Sequence, residues 1–207
     1  MFITLEGIEG CGKTTQIALL ADYLTDCGYS VVRTREPGGT PFGESLRKVL
    51  LQGGLNVLPL SELLVFMAIR AQHVEEVIMP ALSAGKVVLC DRFADATYAY
   101  QGYGRGTDLG IIGNLNRLVT KGVTPNLTIL IDCDVEVGLK RKLSDNPHVD
   151  RFEQEEISFH KAIKNGYRRL AKKDPKRFFV VNGDQDAASI HAILRDRVRM
   201  LLETHGV

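Results

Sequence analysis

The stretch EGIEGCGKTT, residues 6–15, decides the architecture of this 207-residue chain. An apolar run, Phe2 to Leu5, stops where it begins, and Gly7-Ile8-Glu9-Gly10-Cys11-Gly12-Lys13-Thr14 satisfies G-x-x-x-x-G-K-[ST] in full. Glycines let the backbone turn tightly, so that its N–H groups form a nest for phosphate oxygens. The helix that follows, with Thr15 in its first turn, points its positive end at the same place. Lys13 is expected to neutralise the β- and γ-phosphates, and the Thr14 hydroxyl to bind Mg²⁺. The strand before and the amphipathic pattern after supply the context that the motif requires. The loop is therefore expected to hold a nucleoside triphosphate. Cys11 has two readings: a small spacer, or a reactive thiol beside Lys13 at a helix N-terminus.

The rest of the chain alternates in the same way. Apolar runs at Phe2–Glu6, Ser30–Thr34, Lys86–Cys90, Leu127–Asp132 and Arg177–Val181 read as strands. Between them lie helical spacings: Ile17, Leu20, Leu24 and Cys27; Phe159, Ile163, Tyr167 and Leu170; Ile190, Ile193, Leu194, Val198 and Leu201. Leu60 to Ala84 reads as a buried helix that Pro80 kinks or ends. The expected fold is α/β, a five-stranded parallel sheet flanked by helices. One domain spans 1–207, with a mobile, cationic lid at about 140–153. The basic stretch from Arg168 to Arg177 reads as a solvated face.

Composition narrows the function. Hydrophobic content of 44% and charged content of 25% are those of a soluble globular protein. A net charge of +1 speaks against nucleic acid as a partner. Cys11, Cys27, Cys90 and Cys133 form no C-x-x-C pair, which points to reduced thiols in a cytoplasmic protein. No signal peptide is expected ahead of the motif, and no apolar run reaches the roughly 18 residues of a membrane span.

A phosphate loop alone does not separate a kinase from a GTPase, a motor ATPase or a passive nucleotide-binding module. The Asn-Lys-x-Asp stretch by which GTPases select guanine is missing. A second anion-binding set is present instead. Asp91 and Arg92 follow the run VVLC, placing an acid at a strand's carboxyl end, where it can hold a water on Mg²⁺. Asp132 ends another strand and is the rival. Arg35 lies in TREPGGT (34–40) and Arg47 in ESLRKVLL (44–51). Phe66 and Arg70 share a helix face, where the ring either belongs to the core or stacks on a base. DATYAYQGYGRG, residues 95–106, carries more hydroxyls, amides and glycines than a core needs.

The phosphate loop with its internal acid, TREPGGT, DRF (91–93), AYQGYGRG (99–106) and DRFEQE (150–155) together resemble the bacterial thymidylate kinases, in the right order along nearly the whole chain. The resemblance implies transfer of the γ-phosphoryl of ATP to dTMP, giving dTDP on the way to dTTP, and a homodimer formed through helices. It implies that Arg35, Arg47 and Arg92 surround the dTMP phosphate, that Phe66 stacks on thymine and that Arg70 bonds its O4. Thr97 and Gln101 would read the base edge, Tyr100 would close the sugar pocket, and Glu9 would lie near the 3′-hydroxyl. Some members carry an arginine where this chain has Gly10, two residues before the Gly-Lys pair. In members without it a lid arginine supplies the transition-state charge, and here Arg151 or Arg141 (in GLKRK, 138–142) is the candidate. A phosphate monoester is largely ionised at neutral pH, since its second pKa is about 6. No general base is needed, and Glu9, repelled by triphosphate oxygens, is expected to point out of the nest as a positioning group.

Overall fold

The computed structural model describes residues 1–145 and 150–205. Residues 146–149 of the expected lid lie outside the described residues, and with them most of the loop expected at 144–150. The five apolar runs are β1 (Phe2–Glu6), β2 (Val31–Arg35), β3 (Val87–Asp91), β4 (Leu127–Asp132) and β5 (Phe178–Asn182). They pair in the order β2-β3-β1-β4-β5, every pair parallel. β2, β3 and β5 lie one residue later than apolar counting places them. Backbone pairing runs on through their polar ends, where Arg35 lies opposite Asp91 and Asp132 opposite Asn182.

The helices are α1 (Lys13–Asp26), α2 (Pro41–Leu51), α3 (Pro59–His73), α4 (Met79–Ser83), α5 (Ala94–Thr97), α6 (Leu109–Thr120), α7 (Val135–Asp145), α8 (Ile157–Lys173) and α9 (Ala187–His205). Ile17, Leu20 and Leu24 of α1, Phe159, Ile163 and Tyr167 of α8, and Ile190, Leu194 and Val198 of α9 are buried as their spacing predicts. One or more members of each set behave differently. Cys27 is exposed beyond the end of α1, Ile193 is exposed, and Leu170 and Leu201 are half-buried against the core.

The long helix from Leu60 neither ends at Pro80 nor is wholly buried. Val74–Ile78 forms a π-helical turn in which the Met79 N–H bonds the Val74 carbonyl, and α4 then starts with Pro80 in its first turn. The wider turn comes just where a proline lacks a donor and crowds the carbonyl four residues back. Leu60 and Leu64 on the outer face of α3 are 58% and 49% exposed. A second π turn, Tyr98–Gly104, continues α5. It carries Tyr100 and Gln101, both buried, in a stretch without helical period.

β1 is central, and the chain reaches β3 and β2 on one side of it and β4 and β5 on the other. In such sheets ligands lie outside the carboxyl ends of the strands, where the order reverses. The Gly7 loop leaves β1 there, and Asp91-Arg92 leaves β3 there, tied by the Arg92 N–H to the Leu5 carbonyl at 3.0 Å.

Candidate active site

One cavity of about 580 Å³ opens at these strand ends, a size suited to a small-molecule site. It is lined from the phosphate loop by Glu9, Gly10, Lys13 and Thr14, and from β3 by Asp91 and Arg92. Arg35, Arg47, Phe66, Arg70, Thr97, Tyr100 and Gln101 line it as well. The fold thus gathers into one cleft every residue that the sequence nominates for the second ligand.

The loop is tight for local reasons. Gly10 has a φ of 65°, and a Cβ there would stand 1.9 Å from the Gly138 carbonyl oxygen of α7. No side chain fits, which explains physically why this chain lacks an arginine at that position. Cys11 is fully buried, and its sulfur would lie 2.7 Å from a Cβ on Gly7. That is the spacer's place rather than that of an accessible reagent target. The Lys13 ammonium rests on the loop's own carbonyls, at 2.7 Å from Ile8 and 3.2 Å from Gly7. Ile8 packs in the core beneath it, Gly12 caps α1 in the left-handed conformation, and Thr15 is exposed in the first turn.

The Thr14 hydroxyl donates to Asp91 Oδ2 at 3.0 Å. A hydroxyl and a carboxylate side by side at the phosphate loop are the hard oxygen donors that Mg²⁺ takes, usually one or two from protein with water and phosphate completing the shell. Asp132, the rival acid, does not line the cleft. It is paired with Arg168 at 2.8 Å and Lys164 at 3.8 Å.

Arg92 is the hub of the acceptor side. Its φ of 68° is left-handed, costly for a residue with a side chain, and the surroundings hold it there. One nitrogen donates to the Gly7 carbonyl at 2.7 Å and to Tyr167 Oη at 3.1 Å; the other reaches Glu9 at 3.3 Å. The guanidinium lies 4.8 Å from the centre of the Tyr100 ring. Glu6, which apolar counting took simply as a strand end, accepts from the Phe93 N–H at 2.8 Å and from the Tyr167 hydroxyl at 2.7 Å, bracketing Arg92 from both sides. Burial, then the nearby Asp95, push the Glu6 carboxyl up to about 8, against the pull of Arg92, Tyr167 and the Phe93 N–H. Glu9 points away from the loop's nest. Burial opposes its ionisation, but His160, Arg92, Lys13 and the Tyr100 hydroxyl outweigh that and hold it well below the usual carboxylate range. The Tyr100 hydroxyl donates to Glu9, and His160 Nδ1 lies 3.4 Å from it.

Farther from the phosphates the cleft is more enclosed. Arg70 is 1% exposed, and its guanidinium makes four hydrogen bonds. They meet Glu36 at 2.7 Å, Thr97 at 2.8 Å, Asn116 at 2.7 Å and the Phe93 carbonyl at 3.0 Å. Glu36 also takes His73 Nδ1 at 2.9 Å. Phe66 lies half-buried at the cleft wall, its ring 6.1 Å from that of Phe152. Gln101 donates to buried Glu62 at 2.8 Å. Arg47 donates to the Pro37 carbonyl at 2.7 Å, and Arg35 pairs with Glu44 at 2.9 Å.

The two lid arginines are not brought to the phosphate loop. Arg151 pairs with Glu62 at 2.7 Å, donates to the Leu50 carbonyl at 3.1 Å and lies over the Phe152 ring. Arg141 donates to the Gly183 carbonyl at 2.7 Å. Both hold buried acceptors of the fold, and neither lines the cleft. Among the described residues, the lid-segment cation that does line it is Lys142, 3.3 Å from Glu153, which the sequence shows only as one of several flanking charges. Glu6, Glu36, Glu62, Asn116, His160 and Tyr167 are likewise not singled out by the sequence. A lone acid or amide among apolar neighbours is the only signal that Glu6, Glu62 and Asn116 leave, and Tyr167 shows only as one position of a helical period.

A family model described as thymidylate kinase matches residues 5–193. The chain is 51% identical over 199 residues to a thymidylate kinase of Geotalea uraniireducens, covering 93% of each chain. It is 50% identical over 211 residues to one of Citrifermentans bemidjiense, covering 99% of this chain and 94% of that one. The crystal structure of thymidylate kinase from Ehrlichia chaffeensis superposes with a TM-score of 0.79 at 39% identity, over 96% of this chain and 98% of that one. A cleft with a phosphate loop at one end and a buried polar wall at the other accords with these likenesses, and the chain belongs to the thymidylate kinase family.

Proposed function

We propose that this chain, an ATP-dependent kinase by family, transfers the γ-phosphoryl of ATP to dTMP within the single cleft described above. The observation that carries this reading is the convergence of the phosphate loop and the second ligand's residues on one cavity. In this reading the loop amides, Lys13 and Thr14 hold the ATP phosphates. Arg92, with Arg35 and Arg47 behind it, faces the dTMP phosphate. Phe66 stacks on the base, Arg70, Thr97 and Gln101 meet its edge, and Tyr100 with Glu9 bounds the sugar. Bound Mg²⁺, held by Thr14 and by Asp91 through water, would supply neutralising charge between the phosphates.

Phosphoryl transfer asks for alignment and charge rather than covalent chemistry from the protein. The acceptor oxygen of dTMP is ionised at neutral pH, so no residue has to remove a proton. Glu9, ionised and bonded to Arg92 and Tyr100, orients these two groups. Lys142 already faces the cleft; Arg151 and Arg141 would reach a phosphate only by leaving their present partners.

Two further assignments belong to this reading. The outer faces of α3 and α6 expose Leu60, Leu64, Ile111 and Leu118, which suit a homodimer formed through helices, checked by sedimentation. Among the described residues no helix is long and apolar enough to cross a membrane. The free cysteines at 11, 27, 90 and 133 suit a reducing, cytoplasmic location. The decisive test is ADP release with dTMP, dUMP, dCMP, AMP and GMP as acceptors. The expected result is turnover greatest with dTMP; a preference for another acceptor, or no turnover with any, would refute the proposal.

A further inference from the structure

Glu62 stands on α3 one turn before Phe66, with no exposed surface. Its oxygens meet only donors. Oε1 accepts from Gln101 Nε2 at 2.8 Å, Oε2 pairs with Arg151 at 2.7 Å, and the Arg105 guanidinium approaches both oxygens at 3.4 Å. A carboxylate has acceptors alone, and this decides how the Gln101 amide lies. Its NH₂ must face Glu62. Turned over, its carbonyl oxygen would meet a carboxylate oxygen at hydrogen-bond distance with no proton between them. Gln101 is itself 1% exposed and lines the cleft.

We infer that Glu62 is a specificity-positioning residue: by holding Gln101 in one amide orientation it makes the base edge meet an acceptor rather than a donor. The inference rests on the proposed reading of Gln101 as a base contact. An acceptor suits a ring N–H, which thymine and uracil have at N3, and repels the lone pair that cytosine carries there. A buried polar group left facing the wrong partner is what lets such a site reject an analogue strongly. Glu62 thus selects the imide pyrimidines without touching them.

Glu62→Gln tests this. Arg151 lies 2.7 Å from Oε2 whereas Arg105 Nε comes only within 3.4 Å of Oε1, so the new amide turns its oxygen to Arg151 and its NH₂ towards Gln101. Gln101 then turns over and offers its own NH₂ to the base. The ratio of kcat/KM for dTMP to that for dCMP should fall about 10- to 100-fold, the effect of one buried hydrogen bond made or lost. The dCMP value itself should rise, while KM for ATP stays unchanged. A merely structural role would lower both acceptors together and leave the ratio alone. Thermal unfolding establishes that the variant folds; if it does not, Glu62→Gln/Arg105→Gln, which removes one of the two cations that the Glu62 carboxylate balanced, makes the same measurement. An unchanged ratio in a folded variant overturns the assignment of Glu62. Gln101→Leu, measured beside it, separates the two claims. If that variant also leaves the ratio unchanged, the reading of Gln101 as a base contact has failed. If it lowers the ratio and Glu62→Gln does not, only the inference about Glu62 has failed.

Discussion

The phosphate end and the base end of the cleft hold their charges in opposite ways. At the phosphate end Lys13 rests on carbonyls of its own loop, five and six residues away, and Thr14 bonds the carboxylate of Asp91. These partners are local or at the surface, and a ligand's oxygens can replace them at little cost. At the base end Arg70 is enclosed by Glu36, Thr97, Asn116 and Phe93, drawn from three separate segments. There the charge is part of the core. The difference teaches that charged residues lining one cleft divide into those that exchange partners on binding and those that build the wall.

Removing one cation from each end tests that division directly. Arg70→Met leaves Glu36 buried with a single partner, His73, and should lower unfolding free energy by about 3–5 kcal/mol, the scale of breaking a buried ion pair. Lys13→Met should do the reverse. Urea unfolding should barely move, while kcat falls about 10²- to 10³-fold, as when one transition-state donor is removed. If Arg70→Met unfolds like the parent, the base end is no more committed to the core than the phosphate end, and the contrast is lost.

The lid segment lies between these extremes. Lys142 faces the cleft with one carboxylate partner, whereas Arg151 and Arg141 hold buried acceptors. Lys142→Ala should therefore lower kcat by about 10²-fold with small changes in either KM. Arg151→Ala and Arg141→Ala should act more on stability. A larger loss of kcat in Arg151→Ala would show that this arginine exchanges Glu62 for phosphate in the catalytic complex, moving it to the exchanging class.

The smallest effect is expected at Phe66, whose ring is half-buried at the cleft wall. Phe66→Ala should weaken dTMP binding by about 1–3 kcal/mol, the scale of lost base–aromatic stacking, and leave ATP affinity nearly unchanged. Calorimetric titration with both nucleotides reads it. Unaltered dTMP affinity in a folded variant would return Phe66 to the core.

Pro80 shows how a local rule can leave its consequence open between a kink and an end. The proline does disturb its helix, but a π turn at Val74–Ile78 accommodates it, and the chain continues without ending there. Tyr98–Gly104, also a π turn, leaves no mark in the sequence because its residues follow neither the helical nor the strand period.

What the sequence determined by itself is whatever neighbouring residues decide. The phosphate nest needs glycines, a lysine and a threonine in consecutive positions, and the parallel sheet needs short apolar runs separated by amphipathic helices. Both are properties of contiguous chain. Only the tertiary structure decided that Gly10 meets Gly138 and so admits no side chain, that Glu6 and Tyr167 bracket Arg92, and that Glu62 holds Gln101. In these pairs the partners stand 39 to 161 residues apart for the hydrogen bonds of Gln101 and Tyr167. The reason is physical: a buried polar side chain must find a partner wherever packing brings one, and sequence spacing carries no record of that choice.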